Sequence, residues 1–209
     1  MYTWDRNRQV NPAHGAEARE WALAVTARAR DITGKHLDAW VQVMSPDVGT
    51  VSWSAWDESL GEIEAIVDAL DTDATIAKLT SSAETALVGP VMDGVYTNFH
   101  HAFVQGEHAA TYTLSIEATV ASGRLDDALV SGQKIAEHAT SVTGRNTAFL
   151  LDFTGAYNGV RWVTGHPDIE SVDTSERSLM DDPTWRALLG SSGADFASDK
   201  RRILRRRLT

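Results

Sequence analysis

The 209-residue sequence predicts an α+β fold made of two tandem copies of one β-α-β-β-α-β unit, residues 1–105 and 106–209. Three observations predict it. The chain matches itself at a nearly constant offset, strand-like and helix-like periodicities alternate in the same order in both halves, and a Thr-Gly pair stops the first helix of each half. At an offset of about 110 residues, Tyr2-Thr3 falls on Tyr112-Thr113, and Ile32-Thr33-Gly34-Lys35 falls on Val142-Thr143-Gly144-Arg145. One residue is then lost, after which Val51-Ser52-Trp53 overlies Val160-Arg161-Trp162 and Asp73-Ala74-Thr75-Ile76 overlies Asp182-Pro183-Thr184-Trp185.

Each element follows in order. Tyr2 to Val10 and Thr111 to Val120 are rich in Thr, Val, Tyr and Ile with partial alternation, and turn formers bound them, so they read as first strands. Ala18, Trp21 or Ala22, Val25, Ala29 and Ile32 recur at three- and four-residue spacing, as do Ala128, Gly132, Ile135, Ala139 and Val142. Gly34 and Gly144 end these helices, because glycine takes the left-handed backbone of a helix stop without steric cost. Leu37 to Met44 with Thr50 to Trp56, and Thr147 to Phe153 with Gly159 to Thr164, are hairpins across turn-rich loops. A second helix begins at Ser59, with Glu62 at capping-box spacing, and its counterpart begins at Asp168. Short helices follow near 75–82 and 184–189. The closing strands are Val95 to Phe103 and, by overlay, Arg202 to Leu208.

Composition narrows the function classes. A hydrophobic fraction of 43% and a charged fraction of 23% are those of a globular protein. No stretch approaches the ~20 apolar residues of a membrane span, and the amino terminus lacks signal-peptide order, so a cytoplasmic protein, or one packaged into a virion, is expected. The chain has no cysteine, which excludes disulfides, thiol nucleophiles and thiolate metal sites. A net charge of −10 argues against nucleic acid, although Lys200 to Thr209 carries one lysine and five arginines. As a strand, that run is expected to serve at a sheet edge or between subunits. No phosphate-cradling loop, dinucleotide fingerprint or hydrolase motif is present.

A β-α-β-β-α-β unit is the ferredoxin-like arrangement, whose sheet leaves one face to be covered. With the tryptophan-bearing third strands Val51-Ser52-Trp53 and Val160-Arg161-Trp162, the chain resembles the dimeric α+β barrel superfamily. That superfamily includes the antibiotic-biosynthesis-monooxygenase-like and NIPSNAP-like proteins, here in a tandem-duplicated version. The resemblance implies a single-chain pseudo-dimeric barrel and leaves activity open, because the superfamily hosts oxygenases, haem enzymes, isomerases and proteins without chemistry.

Candidate ligand-binding residues lie where the copies differ. Asn98, His100 and His101 sit on the first closing strand, and Tyr157, Arg161 and His166, near Asp168, surround the second hairpin. Trp53 and Trp162, at matching places, are expected to pack in cores. No metal site and no cofactor is expected. Without a paired catalytic constellation, the expectation is a non-catalytic structural or assembly protein. It would be a homo-oligomer or dock on an assembly neighbour through the basic strand or a loop at 86–94. An overall likeness, with no motif behind it, is to virion components of tailed phages of actinobacteria. The alternative is a cofactor-independent oxygenase or a haem-binding enzyme with its pocket in one half.

Overall fold

The computed structural model describes residues 1–100 and 110–209. Two compact units divide the chain: Met1–Val95 with Arg205–Thr209, and Tyr96–Leu204. Unit 1 contains β1 (Tyr2–Val10), α1 (Gly15–Thr33), β2 (Asp38–Gln42), β3 (Thr50–Asp57), α2 (Leu60–Thr72) and α3 (Ala74–Ser82), followed by most of β4 (Leu87–His100). Unit 2 contains β5 (Tyr112–Thr119), α4 (Leu125–Thr143), β6 (Thr147–Asp152), β7 (Gly159–His166), α5 (Ile169–Asp181) and α6 (Pro183–Ser192), followed by β8 (Arg201–Arg207), whose last residues belong to unit 1. The same order of elements occurs in both halves.

The strand order is β1-β3-β2-β8 in unit 1 and β8-β5-β7-β6-β4 in unit 2. In unit 1, β1 runs antiparallel to β3 from Tyr2↔Asp57 to Gln9↔Thr50, and β2 pairs with both β3 and Arg205–Arg207. In unit 2, β7 lies between β5 and β6, and Tyr96 to His100 adds beside β6.

The local signals act as the sequence implies. Gly34 and Gly144 cap α1 and α4 with φ of 64° and 66°. Ser59 accepts from the Glu62 amide at the start of α2, and Asp168 from the Ser171 amide at the start of α5. Two expectations are corrected. Residues 87–94 are strand, not loop. The arginine run is no edge strand, because β8 has neighbours on both sides, and its Arg205 is buried against Asp5 at 3.0 Å.

Each unit packs its helices on one face of its sheet. In unit 1, Trp4, Ala39, Val51, Trp53 and Ala55 meet Trp21, Ala22, Val25 and Ala29 of α1 and Ile63, Ile66 and Leu70 of α2. In unit 2, Ala118, Phe149, Val160 and Trp162 meet Ala128, Ile135, Ala136 and Ala139 of α4, with Trp185 and Phe196. Trp53 and Trp162 are therefore core residues, as expected. The opposite face of the unit 1 sheet is also buried yet polar. There Asn7 accepts from Ser52 at 2.6 Å, and Trp40 donates to Ser54 at 2.9 Å.

Candidate functional site

The alternation of β1 sends Trp4, Arg6 and Arg8 to the helix side of the unit 1 sheet. With Trp53 of β3 and Trp21, Val25 and Ala29 of α1, they line a cavity of about 260 Å³. Leu37, together with Leu70 and Asp71 of α2, Ile76, Ala77 and Thr80 of α3, and Val91 of β4, completes the lining. An engineered apolar cavity of ~150 Å³ takes one benzene. This chamber therefore has the scale of a planar molecule of about two or three fused rings.

The walls are aromatic, and their polar atoms are unequally satisfied. Trp21 and Trp53 meet edge to face, with centroids 5.1 Å apart. The Trp53 indole donates to Thr26 Oγ1 at 2.9 Å, and that of Trp21 to Thr80 Oγ1 at 3.4 Å. Trp4 is fully buried, and its Nε1–H has no acceptor among the described residues. Such a donor costs about 1–3 kcal/mol unless something accepts from it.

Two arginines share the lining but not the same state. Arg6 grips Asp93 through Nε and Nη2 at 2.8 Å each and reaches Asp71 through Nη1 at 2.6 Å. Burial alone would lower its pKa, and the bonds to Asp93 and Asp71 outweigh that and raise it. Its guanidinium also lies 5.5 Å from the Trp4 ring centroid. Arg8 forms no ion pair among the described residues, and its buried Nε–H has no acceptor.

The sequence-derived candidates lie elsewhere, in unit 2. Asn98 of β4 is opposite Leu150, which is opposite Arg161, so Asn98 and Arg161 share one row of one sheet face. Arg161 stacks on Tyr96 at 3.7 Å from the ring centroid and faces Glu117 at 3.4 Å and Asp152 at 3.7 Å. His100 turns toward Glu137 of α4 at 3.9 Å. His101 lies outside the described residues. Tyr157 sits in the β6–β7 turn, 90% exposed. His166, at the far end of β7, is buried and contacts Ser171 Oγ at 3.3 Å. Burial, then the nearby Arg145 charge, lowers its pKa. Five residues of strand, ~16 Å, separate Arg161 from His166, so the hairpin candidates do not converge.

In unit 2 the space corresponding to the cavity is built differently. Phe149 stacks on Trp162 at 5.2 Å, and Phe196 meets Trp162 edge-on at 5.2 Å. The Trp162 indole donates to the Gly132 carbonyl at 2.8 Å, which brings the helix backbone against the ring. Rings fill this interior.

No protein-family model and no curated protein sequence matches the chain. Solved structures do match. A candidate monooxygenase from Fusobacterium nucleatum superposes with a TM-score of 0.70 at 10% identity, over 100% of this chain and 92% of that one. An anthrone oxidase-like protein does so with a TM-score of 0.66 at 13% identity, over 100% and 91%. A chlorite dismutase from Candidatus Nitrospira defluvii follows with 0.54 at 10%, over 99% and 91%. The fold is that of the dimeric α+β barrel.

These likenesses correct the expectation of a non-catalytic structural or assembly protein and of a virion component. The solved structures on this scaffold bear the names of monooxygenase, anthrone oxidase-like protein and chlorite dismutase. The haem-binding alternative drawn from the sequence finds no fit among the cavity residues. Haem iron is held by His, Cys, Met or Tyr, and none of these lines the chamber. Among the described residues no group of three metal-binding side chains forms, and no helix is long and apolar enough to cross a membrane.

Proposed function

We propose that the chain is an oxygenase-type enzyme with no resident cofactor, which oxidises a planar aromatic ketone in the unit 1 cavity using dioxygen. The observation that carries this reading is the cavity lined by Trp4, Trp21, Trp53 and aliphatic side chains together with Arg6, Arg8, Asp71 and Thr80, in whose wall the Nε1–H of Trp4 is buried and unaccepted. A carbonyl oxygen is the acceptor that such a donor lacks. When an acidic methylene of the ketone loses a proton to water, the negative charge moves to that oxygen. The Trp4 N–H stabilises it there more strongly than it stabilised the neutral carbonyl. The resulting enolate is electron-rich enough to reduce dioxygen. The methylene carbon loses two hydrogens and gains one oxygen to become a carbonyl, the O–O bond breaks, and the other oxygen leaves as water. Trp21 and Trp53 hold the ring plane and exclude bulk water. The anthrone oxidase-like likeness supports this substrate class.

The two units are tandem copies of one ferredoxin-like unit, supported by two 19-residue helices that each end on a left-handed glycine and by Trp53 and Trp162 at matching places.

The test is oxygen uptake with anthrone as probe. The parent protein is expected to accelerate uptake over buffer. Trp4→Phe, which keeps a ring and deletes the donor, is expected to lower kcat about 100-fold with KM little changed, as for loss of one oxyanion donor. Uptake no faster than buffer, or a Trp4→Phe enzyme as fast as the parent, refutes the assignment.

A further inference from the structure

We infer that Arg8 is a second anchor of this cavity and that the ligand carries an acidic group, a carboxylate or phenolate, at the end opposite its ketone. The inference rests on the proposed function and specifies its substrate. Trp4 and Arg8 lie four residues apart on one face of β1, ~13 Å along the strand, so their side chains enter the chamber from different ends. Arg6, between them, is unavailable, because Asp93 and Asp71 already occupy its fork from two sides. Arg8 is different. It lines the same cavity, no carboxylate among the described residues pairs with it, and its Nε–H is buried without an acceptor.

A guanidinium that is part-buried and unpaired gives up hydration without a protein counter-charge, so an anion arriving from solution gains most at that position. In a chain of net charge −10, an exposed surface cation would be screened by acidic neighbours, whereas this one is reserved within the lining. One hydrogen-bond donor for a ketone and one cation for an acid, at opposite ends of an aromatic slot, select a two-headed ligand over either half of it.

The test compares anthraquinone-2-carboxylate with its neutral carboxamide by quenching of tryptophan fluorescence, a binding measurement that needs no turnover. The parent protein is expected to bind the carboxylate at least about tenfold tighter than the amide, the scale of one charge-assisted hydrogen bond. Raised salt should shrink the ratio. Arg8→Gln is expected to collapse it toward one, and Arg8→Lys to keep part of it. Equal affinity of the two probes for the parent, or a ratio unchanged in a folded Arg8→Gln variant, overturns the role of Arg8 while leaving the ketone site standing. Failure of both probes to bind the parent overturns this inference together with the reading beneath it.

Discussion

Gly132→Ala is the sharpest probe of why the chamber lies in unit 1. In an ordinary helix interior, alanine is favoured over glycine by about 1 kcal/mol. Here a Cβ at Gly132 would clash with the Cζ end of the Phe149 ring, 2.5 Å from Cε2 and 2.6 Å from Cε1. Phe149 is fully buried and stacked on Trp162, so the ring has nowhere to go. Overpacking of this kind costs about 1–3 kcal/mol, and an immobile ring places it at about 3. Subtracting the propensity gain leaves a net loss of about 2 kcal/mol, or a Tm lower by about 4–8 °C for a chain of this size. Urea and thermal melts measure it. Gly132→Ala combined with Phe149→Leu should cost less than the sum of the two single changes, because the leucine vacates the clashing space. A Gly132→Ala protein as stable as the parent, or an additive double variant, refutes the claim that this close approach fills the unit 2 interior.

Other outcomes follow from the same structure. His166 is buried, its Nε2 has no partner, and its folded pKa is lowered, so the unfolded chain binds the proton more readily. Stability is then complete above the unfolded value of about 6.5 and falls as pH drops from there toward the folded value. Urea midpoints measured across that window should fall with acid in the parent and flatten in His166→Phe, and an equal slope in both would remove His166 as the cause. The Asp5–Arg205 pair is buried on both sides, so Asp5→Ala strands a cation and should cost about 3–5 kcal/mol. Asp5→Ala with Arg205→Met should recover much of that loss, and no recovery would mean the pair is not the origin of the cost.

The elements were largely legible because their signals are local. A left-handed glycine after a helix, a Ser or Asp three residues ahead of an amide, and a turn-rich hairpin each act within a few residues, as Gly34, Gly144, Ser59 and Asp168 show. The start of β4 is hidden in the sequence because Gly89, Pro90 and Gly94 are turn formers, yet residues 87–94 are strand. The arginine strand was legible and its burial was not, since the neutralising Asp5 lies 200 residues away in sequence. The chamber was the least legible feature. It depends on how closely α1 approaches the sheet, and no motif encodes that distance. The one available signal, Trp4, Arg6 and Arg8 alternating onto a single face of β1, points to a polar and aromatic helix side but not to empty space.

That empty space has a physical origin in where each unit places its large ring. In unit 2 the ring against the third-strand tryptophan is Phe149, supplied by the sheet opposite Trp162, and the helix contributes Gly132, so α4 settles close enough for its backbone carbonyl to accept from the indole. In unit 1 the sheet residue opposite Trp53 is only Ala39, and the ring comes from the helix as Trp21. A ring carried by the helix meets Trp53 edge-on, interplanar angle 89°, whereas the strand-borne Phe149 stacks on Trp162 at 27°. An edge-on indole occupies depth rather than breadth, so Trp21 covers less of the Trp53 face than a stacked ring would. Trp4, Arg6 and Arg8 line the cavity beside Trp53. The same exchange therefore supplies the aromatic walls of the unit 1 cavity, and it does so beside the buried Trp4 N–H, which finds no acceptor among the described residues.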